Sequence, residues 1–159
     1  MEMGKSWMLP IEKTCSLVTE TEGFESFQEA ANNNQGIVLL TPHLSNWEIF
    51  AMYVSWNIES TFMYQPPKLL ALDRLLQRVR SRGGLKLAPT DIKGVSMLLK
   101  ALKRGELVGV LPDQVPNEEG GEFGEFFGEQ ALTMTLVSKL VARSQAKVFC
   151  GYVVRLPKG

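Results

Sequence analysis

The chain has 159 residues, 45% of them hydrophobic, and its 17 basic and 17 acidic side chains cancel. That length and composition suit one domain with a real core and exclude a disordered, repetitive or low-complexity chain. Cys15 and Cys150 are the two cysteines, without CxxC or metal-site spacing, which argues against a disulfide framework or a zinc site and favours a reducing, intracellular setting.

The first strong signal along the chain is Gly36-Ile37-Val38-Leu39-Leu40-Thr41, a short run of branched residues between Gln35 and Pro42. It predicts a strand buried on both faces. Asn46 to about Trp56 predicts a helix, with Ser45 as N-cap and Glu48 completing a capping box. The apolar stretch Ile49 to Ile58 is shorter than the roughly 18 residues that span a bilayer, and Met1 to Pro10 lacks signal-peptide anatomy. Thr61 to Tyr64 predicts a second strand. Pro66-Pro67 then opens a helix that runs to about Arg82 and stops at Gly83-Gly84. Within it Leu69, Leu72, Leu76 and Val79 recur at helical spacing, and Arg74, Arg78 and Arg82 form one basic stripe.

Leu85 to Ala88 predicts a third strand. A further helix, capped by Thr90 or Asp91, ends near Lys103-Arg104 with Gly105 as its stop. Leu107 to Leu111 is another buried-strand run, ended by Pro112. The stretch 116–128, rich in Gly, Glu and Phe, is expected to be a loop; Ala131 to about Ser144 a helix; Val148 to Leu156 a strand. Leu156-Pro157-Lys158-Gly159 looks like a turn opening a hairpin with no returning strand, which predicts that the chain is part of a longer gene product. This alternation predicts an α/β fold, an α/β/α sandwich around a largely parallel, mixed sheet. Ligands bind such sheets beyond the carboxyl ends of the strands, where His43 and Asp113 both fall.

Charge is unevenly spread. Residues 1–67 hold 2 basic and 8 acidic groups, residues 68–104 hold 10 and 2, and residues 105–159 hold 5 and 7. The middle of the chain therefore carries a positive field. Its arginines are either solvated on an amphipathic helix, or bind phosphate and carboxylate head groups or an anionic membrane surface. A neutral chain with no nucleic-acid motif is not expected to bind nucleic acid.

His43 is the only histidine, and a neutral imidazole is the usual general base near pH 7. If a helix begins near Ser45, the Glu48 carboxylate can fold back to orient the ring, as the acid does in a serine-protease triad. The plainer alternatives are a satisfied polar histidine and a Glu48 that only caps. No nucleophile elbow, P-loop or dinucleotide fingerprint is present, and one histidine makes a catalytic metal improbable. Asp113 either caps a turn or orients an active-site arginine; Phe126 and Phe127 either line an apolar groove or join the core.

Read together, the block Gly36 to Glu48 resembles the first block of the bacterial lipid A biosynthesis acyltransferases, with a His-x4-acid signature in its Asn46-Trp47-Glu48 form. Three later blocks resemble the same family in the same order: Arg78-Val-Arg80-Ser-Arg82-Gly83, the Leu-Pro-Asp113-Gln114 turn, and Phe126-Phe-Gly128 to Thr133. The resemblance implies an acyltransferase-like core over 1–159, without the N-terminal membrane anchor and C-terminal portion usual in the family. It implies transfer from an acyl carrier protein thioester to a hydroxyl of a Kdo-bearing lipid A precursor, with no cofactor, at the cytoplasmic face of the inner membrane. By the same resemblance His43 and Glu48 are catalytic, and Arg78, Arg80, Arg82, Asp113 and Gly128 bind substrate. Other acceptors, a glycerophospholipid or a phosphatidylinositol mannoside, stay open, as does a non-catalytic remnant that binds membrane or carrier. Ser45 stands where the family often has glycine.

Overall fold

Among the described residues seven strands form, and five of them make the sheet on which everything else rests. In the computed structural model, which describes residues 2–157, these are β1 (Ile37–Leu40), β2 (Ser60–Tyr64), β3 (Lys86–Pro89), β4 (Leu107–Val110), β5 (Gly121–Phe126), β6 (Glu129–Met134) and β7 (Lys147–Cys150). Five lie in the order β3-β2-β4-β1-β7, and each neighbouring pair is parallel. The other two, β5 and β6, pair antiparallel as a separate hairpin. The helices are α1 (Glu2–Met8), α2 (Ile11–Cys15), α3 (Phe24–Asn32), α4 (Trp47–Asn57), α5 (Leu70–Arg80), α6 (Ile92–Lys103) and α7 (Leu136–Ser144).

The continuous apolar character of β1 and β4 follows from burial on both faces. Ile37, Leu39, Phe62 and Leu107 pack with Phe27 and Ala30 of α3 and Ala51 and Val54 of α4. Val38, Val108, Val110 and Ala88 pack with Leu98, Ala101 and Leu102 of α6 and Leu140 of α7. The result is the expected three-layer α/β arrangement. Each fully buried leucine in it contributes about 1.5–3 kcal/mol. A third cluster, Ile11, Cys15, Met52 and Val79, with Trp7 and Tyr53 against it, ties the first two helices to α4 and α5.

Several boundaries differ from expectation. Ser45 does not cap α4: it takes a left-handed φ of 56°, and Asn46 caps instead, its Oδ1 accepting from the Ile49 N–H at 3.2 Å. The helix expected from Pro67 begins at Leu70, because Leu69 is still extended, and a 3-10 turn over Ser81–Gly83 replaces its last residues. The expected loop 116–128 and the start of the helix at 131 give way to the β5–β6 hairpin. Phe127 and Gly128, at φ of 53° and 84°, form the two-residue turn with both central angles positive that matches strand twist. The final strand pairs only over Lys147–Cys150; the turn expected at 156–159 lies partly outside the described residues. Asp91 is the cap of α6, its Oδ1 accepting from the Gly94 N–H at 2.9 Å. Among the described residues no helix is long and apolar enough to cross a membrane.

Candidate active site

Strands β1 and β4 are parallel neighbours with Leu40 opposite Val110. The segments leaving them therefore start side by side, and His43 and Asp113, each three residues on, meet. His43 Nδ1 lies 2.9 Å from Asp113 Oδ1, and the His43 backbone N–H donates to Asp113 Oδ2 at 2.7 Å. One carboxylate thus clamps both the ring and the main chain. A carboxylate can only accept, so Nδ1 carries the proton and Nε2 is left with a free lone pair. Burial alone raises the Asp113 carboxyl; the hydrogen bonds from the His43 ring and backbone outweigh it and hold the group below its ordinary 3.8.

Glu48 does not reach that ring. It is 4% exposed in the first turn of α4, and both its oxygens are taken. Oε1 accepts from Arg80 Nη2 at 2.6 Å, and Oε2 accepts from the Trp7 indole N–H. The indole of Trp47 stands at the ring instead: His43 meets it edge-on at 5.6 Å between centroids. The Arg80 guanidinium lies over the Trp47 ring at 4.9 Å and the Tyr64 ring at 5.3 Å. Its Nε is buried with no hydrogen-bond partner among the described residues. Tyr64 in turn donates to Asp73 Oδ1 at 2.7 Å. Burial first, then the Asp73 hydrogen bond and charge, push the Tyr64 hydroxyl up to about 12 against the lowering effect of Arg80.

His43, Trp47, Tyr64 and Arg80 line a cavity of about 260 Å³ with Gly109, Gln114 and Leu136. A second groove of about 450 Å³ abuts it, since Thr90 and Leu136 line both. The groove runs between α6 and α7 over Val95, Leu99 and Leu140, with Lys139 and Arg143 beside it.

Of the arginines expected to bind substrate, Arg80 alone lines the cavity. Arg78 is exposed elsewhere on α5. Arg82 turns away to the end of α1, donating to the carbonyls of Leu9 at 2.6 Å and Ser6 at 2.7 Å. Gly128 sits at the hairpin tip, where its positive φ serves the turn. The Asp113 carboxylate holds the His43 ring and backbone. Phe126 and Phe127 are exposed at the hairpin tip rather than in the core. Trp47 and Tyr64 were not singled out by sequence, although both follow from position: one beside Glu48, one at the carboxyl end of β2. Trp7 carried no signal at all. Among the described residues no group of three or more His, Cys, Asp or Glu side chains could hold a metal ion.

The chain has relatives among known proteins. The chain is similar to the lipid A biosynthesis acyltransferase of Haemophilus influenzae, 29% identical over 82% of this chain and 41% of that protein. It is also similar to lipid A biosynthesis acyltransferase 2 of Shigella flexneri, 27% identical over 80% of this chain and 40% of that protein. The lipid A biosynthesis lauroyltransferase of Escherichia coli is 27% identical over 98% of this chain and 50% of its own length. The chain thus spans half or less of the length of these relatives. A family model described as bacterial lipid A biosynthesis acyltransferase matches residues 1–159, and the chain belongs to that family.

Proposed function

We propose that this chain carries the acyl-transfer centre of a lipid A biosynthesis acyltransferase. The donor is a fatty acyl thioester of acyl carrier protein, and the acceptor a hydroxyl of a Kdo-bearing lipid A precursor. His43 Nε2 takes the hydroxyl proton as the oxygen attacks the thioester carbonyl. The imidazolium is stabilised by Asp113, and its proton passes to the departing thiolate. The Arg80 guanidinium, held by Glu48 and flanked by two aromatic faces, stabilises the oxyanion. Both ends of the His-x4-acid signature then serve one centre, Glu48 through Arg80. No acyl-enzyme is required, and among the described residues no serine or cysteine lines the cavity. The reaction balances without a cofactor. The groove between α6 and α7 accommodates the acyl chain.

The observation that carries the reading is the two-point clamp of His43 by Asp113 at the cavity that Arg80 lines. The test is transfer of a labelled acyl group from acyl carrier protein to the lipid A precursor by the parent chain, His43→Ala, and Arg80→Gln. Transfer that collapses in both variants upholds the reading; transfer indifferent to His43 sinks it.

The acceptor is a lipid, and the sheet supports a working position on a bilayer, in the cell the cytoplasmic face of the inner membrane. Each sheet strand is followed at its carboxyl end by an exposed large apolar side chain: Leu44, Leu69 and Leu70, Ile92, Val115, and Tyr152 and Val154. The turns entering the strands, 33–36, 58–59, 84–85, 104–106 and 145–146, expose none. They instead carry ion pairs of Lys86 with Glu59 and of Arg104 with Glu106.

A further inference from the structure

We infer that Trp7 is a positioning residue of the reaction centre: its indole N–H holds Glu48, Glu48 holds Arg80, and Arg82 locks the helix that carries Trp7. This rests on the acyl-transfer reading for its kinetic meaning and on the geometry for everything else.

A helix of seven residues does not persist alone. What keeps α1 in place is local and specific. Ser6 is fully buried, Trp7 packs against the cluster of Ile11, Cys15, Met52 and Val79, and Arg82 satisfies the carbonyls of Ser6 and Leu9. Those carbonyls lie where a helix end leaves acceptors without intrahelical partners. The contacts close a ring. From Trp7 on α1 the path runs to Glu48 on α4, to Arg80 at the end of α5, two residues on to Arg82, and back to the end of α1.

The ring matters because its members have few other ties. Glu48 is almost fully buried, so an oxygen that lost the indole would have no water to replace it. The carboxylate would re-aim, and Arg80 would lose its one charged anchor. Its Nε has no hydrogen-bond partner among the described residues, and what remains is the face-on contact with Trp47 and Tyr64. A group aimed at developing charge is sensitive to displacements of this size. A tryptophan that merely filled space would be replaced by phenylalanine at little cost to Arg80.

In the whole chain, Trp7→Phe is expected to lower kcat about tenfold with KM changed by less than about twofold. Added to Glu48→Gln, it is expected to contribute no further loss, because both act through one contact. A Trp7→Phe chain as fast as the parent, or full additivity with Glu48→Gln, overturns the inference. Arg82→Gln frees the end of α1 without touching Trp7, and is expected to reproduce the kcat loss if Trp7→Phe folds poorly. The second measurement needs no turnover. The Arg80 Nε–H signal in nitrogen-resolved NMR is expected to be sharp in the parent and to broaden by exchange in Trp7→Phe, well below its melting temperature. An unchanged signal overturns the inference. If the parent transfers no acyl group, the acyl-transfer reading falls, and the Arg80 signal alone decides this one.

Discussion

The His43 ring owes its orientation to a residue 70 positions away. Asp113→Asn is expected to cut acyl transfer about 100-fold or more, since an amide can present its N–H to Nδ1 and stabilise the wrong tautomer. The clamp also leaves a signature in stability. Asp113 ionises more readily folded than unfolded, so its stabilising effect is present above the ordinary carboxylate pKa and lost as pH falls through the lower folded value. Asp113→Asn is therefore expected to flatten the acid limb of a stability-versus-pH curve. Tyr64 works in the opposite sense. Its hydroxyl is raised from 10.0 to about 12, so its contribution is intact below 10 and lost as pH climbs towards 12. Tyr64→Phe is expected to flatten that alkaline limb in the same melting series. From sequence, His43 stood out as the lone histidine at a strand end, and Asp113 at the same edge. Their pairing did not, because it depends on β1 and β4 being neighbours, a fact of strand order that periodicity does not contain. Glu48 was read as the ring's partner since five residues separate them in the chain; the indole of Trp47 at the ring is what spacing could not reveal.

Helices and strands were easier to read than their ends. The runs that became β1, β2, β3 and β4 lie within a residue or so of expectation, and in β1 and β4 the reason is burial on both faces, which leaves an unbroken apolar signature. The β5–β6 hairpin was missed for the converse reason: its faces are largely exposed, and its Glu-Phe-Gly-Glu-Phe run carries no core pattern. Its turn was nevertheless written in Phe127-Gly128. The entry to α4 repeats the lesson. Ser45 looked like a cap, but the chain leaving the His43 segment needs a left-handed residue there, so the cap moves to Asn46. A left-handed non-glycine residue costs about 1–2 kcal/mol. Ser45→Gly is expected to raise the melting temperature by about 2–4 °C, for a gain of about 1 kcal/mol. Gly94 marks the opposite limit. A Cβ there would sit 1.6 Å from the Pro89 carbonyl oxygen, where α6 turns back against the end of β3. Gly94→Ala is expected to destabilise by about 3 kcal/mol or to prevent folding, read by denaturant titration.

Across the whole molecule, the contrast between the two edges of the sheet gives a test that needs no substrate. Vesicle co-sedimentation is expected, and the combined Leu69→Ser, Leu70→Ser and Ile92→Ser change is expected to weaken it at least about tenfold. What that edge exposes is a set of large apolar side chains, so the attraction is apolar in origin and is expected to survive added salt, unlike adsorption of a polybasic surface. Binding that persists in the triple variant would mean the bilayer is met elsewhere. The strand order has a consequence in time as well as in space. β1 lies between β4 and β7, partners that follow it by 70 and 110 positions in register. Strand β1 is therefore made early in synthesis and is flanked on its second side only once β7 has followed. Until then its bare edges are open to mispairing, and loops this long must close before any parallel bond rewards them. Refolding is expected on the slow side for this chain length, with a delay in protecting β1 amides that matches the arrival of β7.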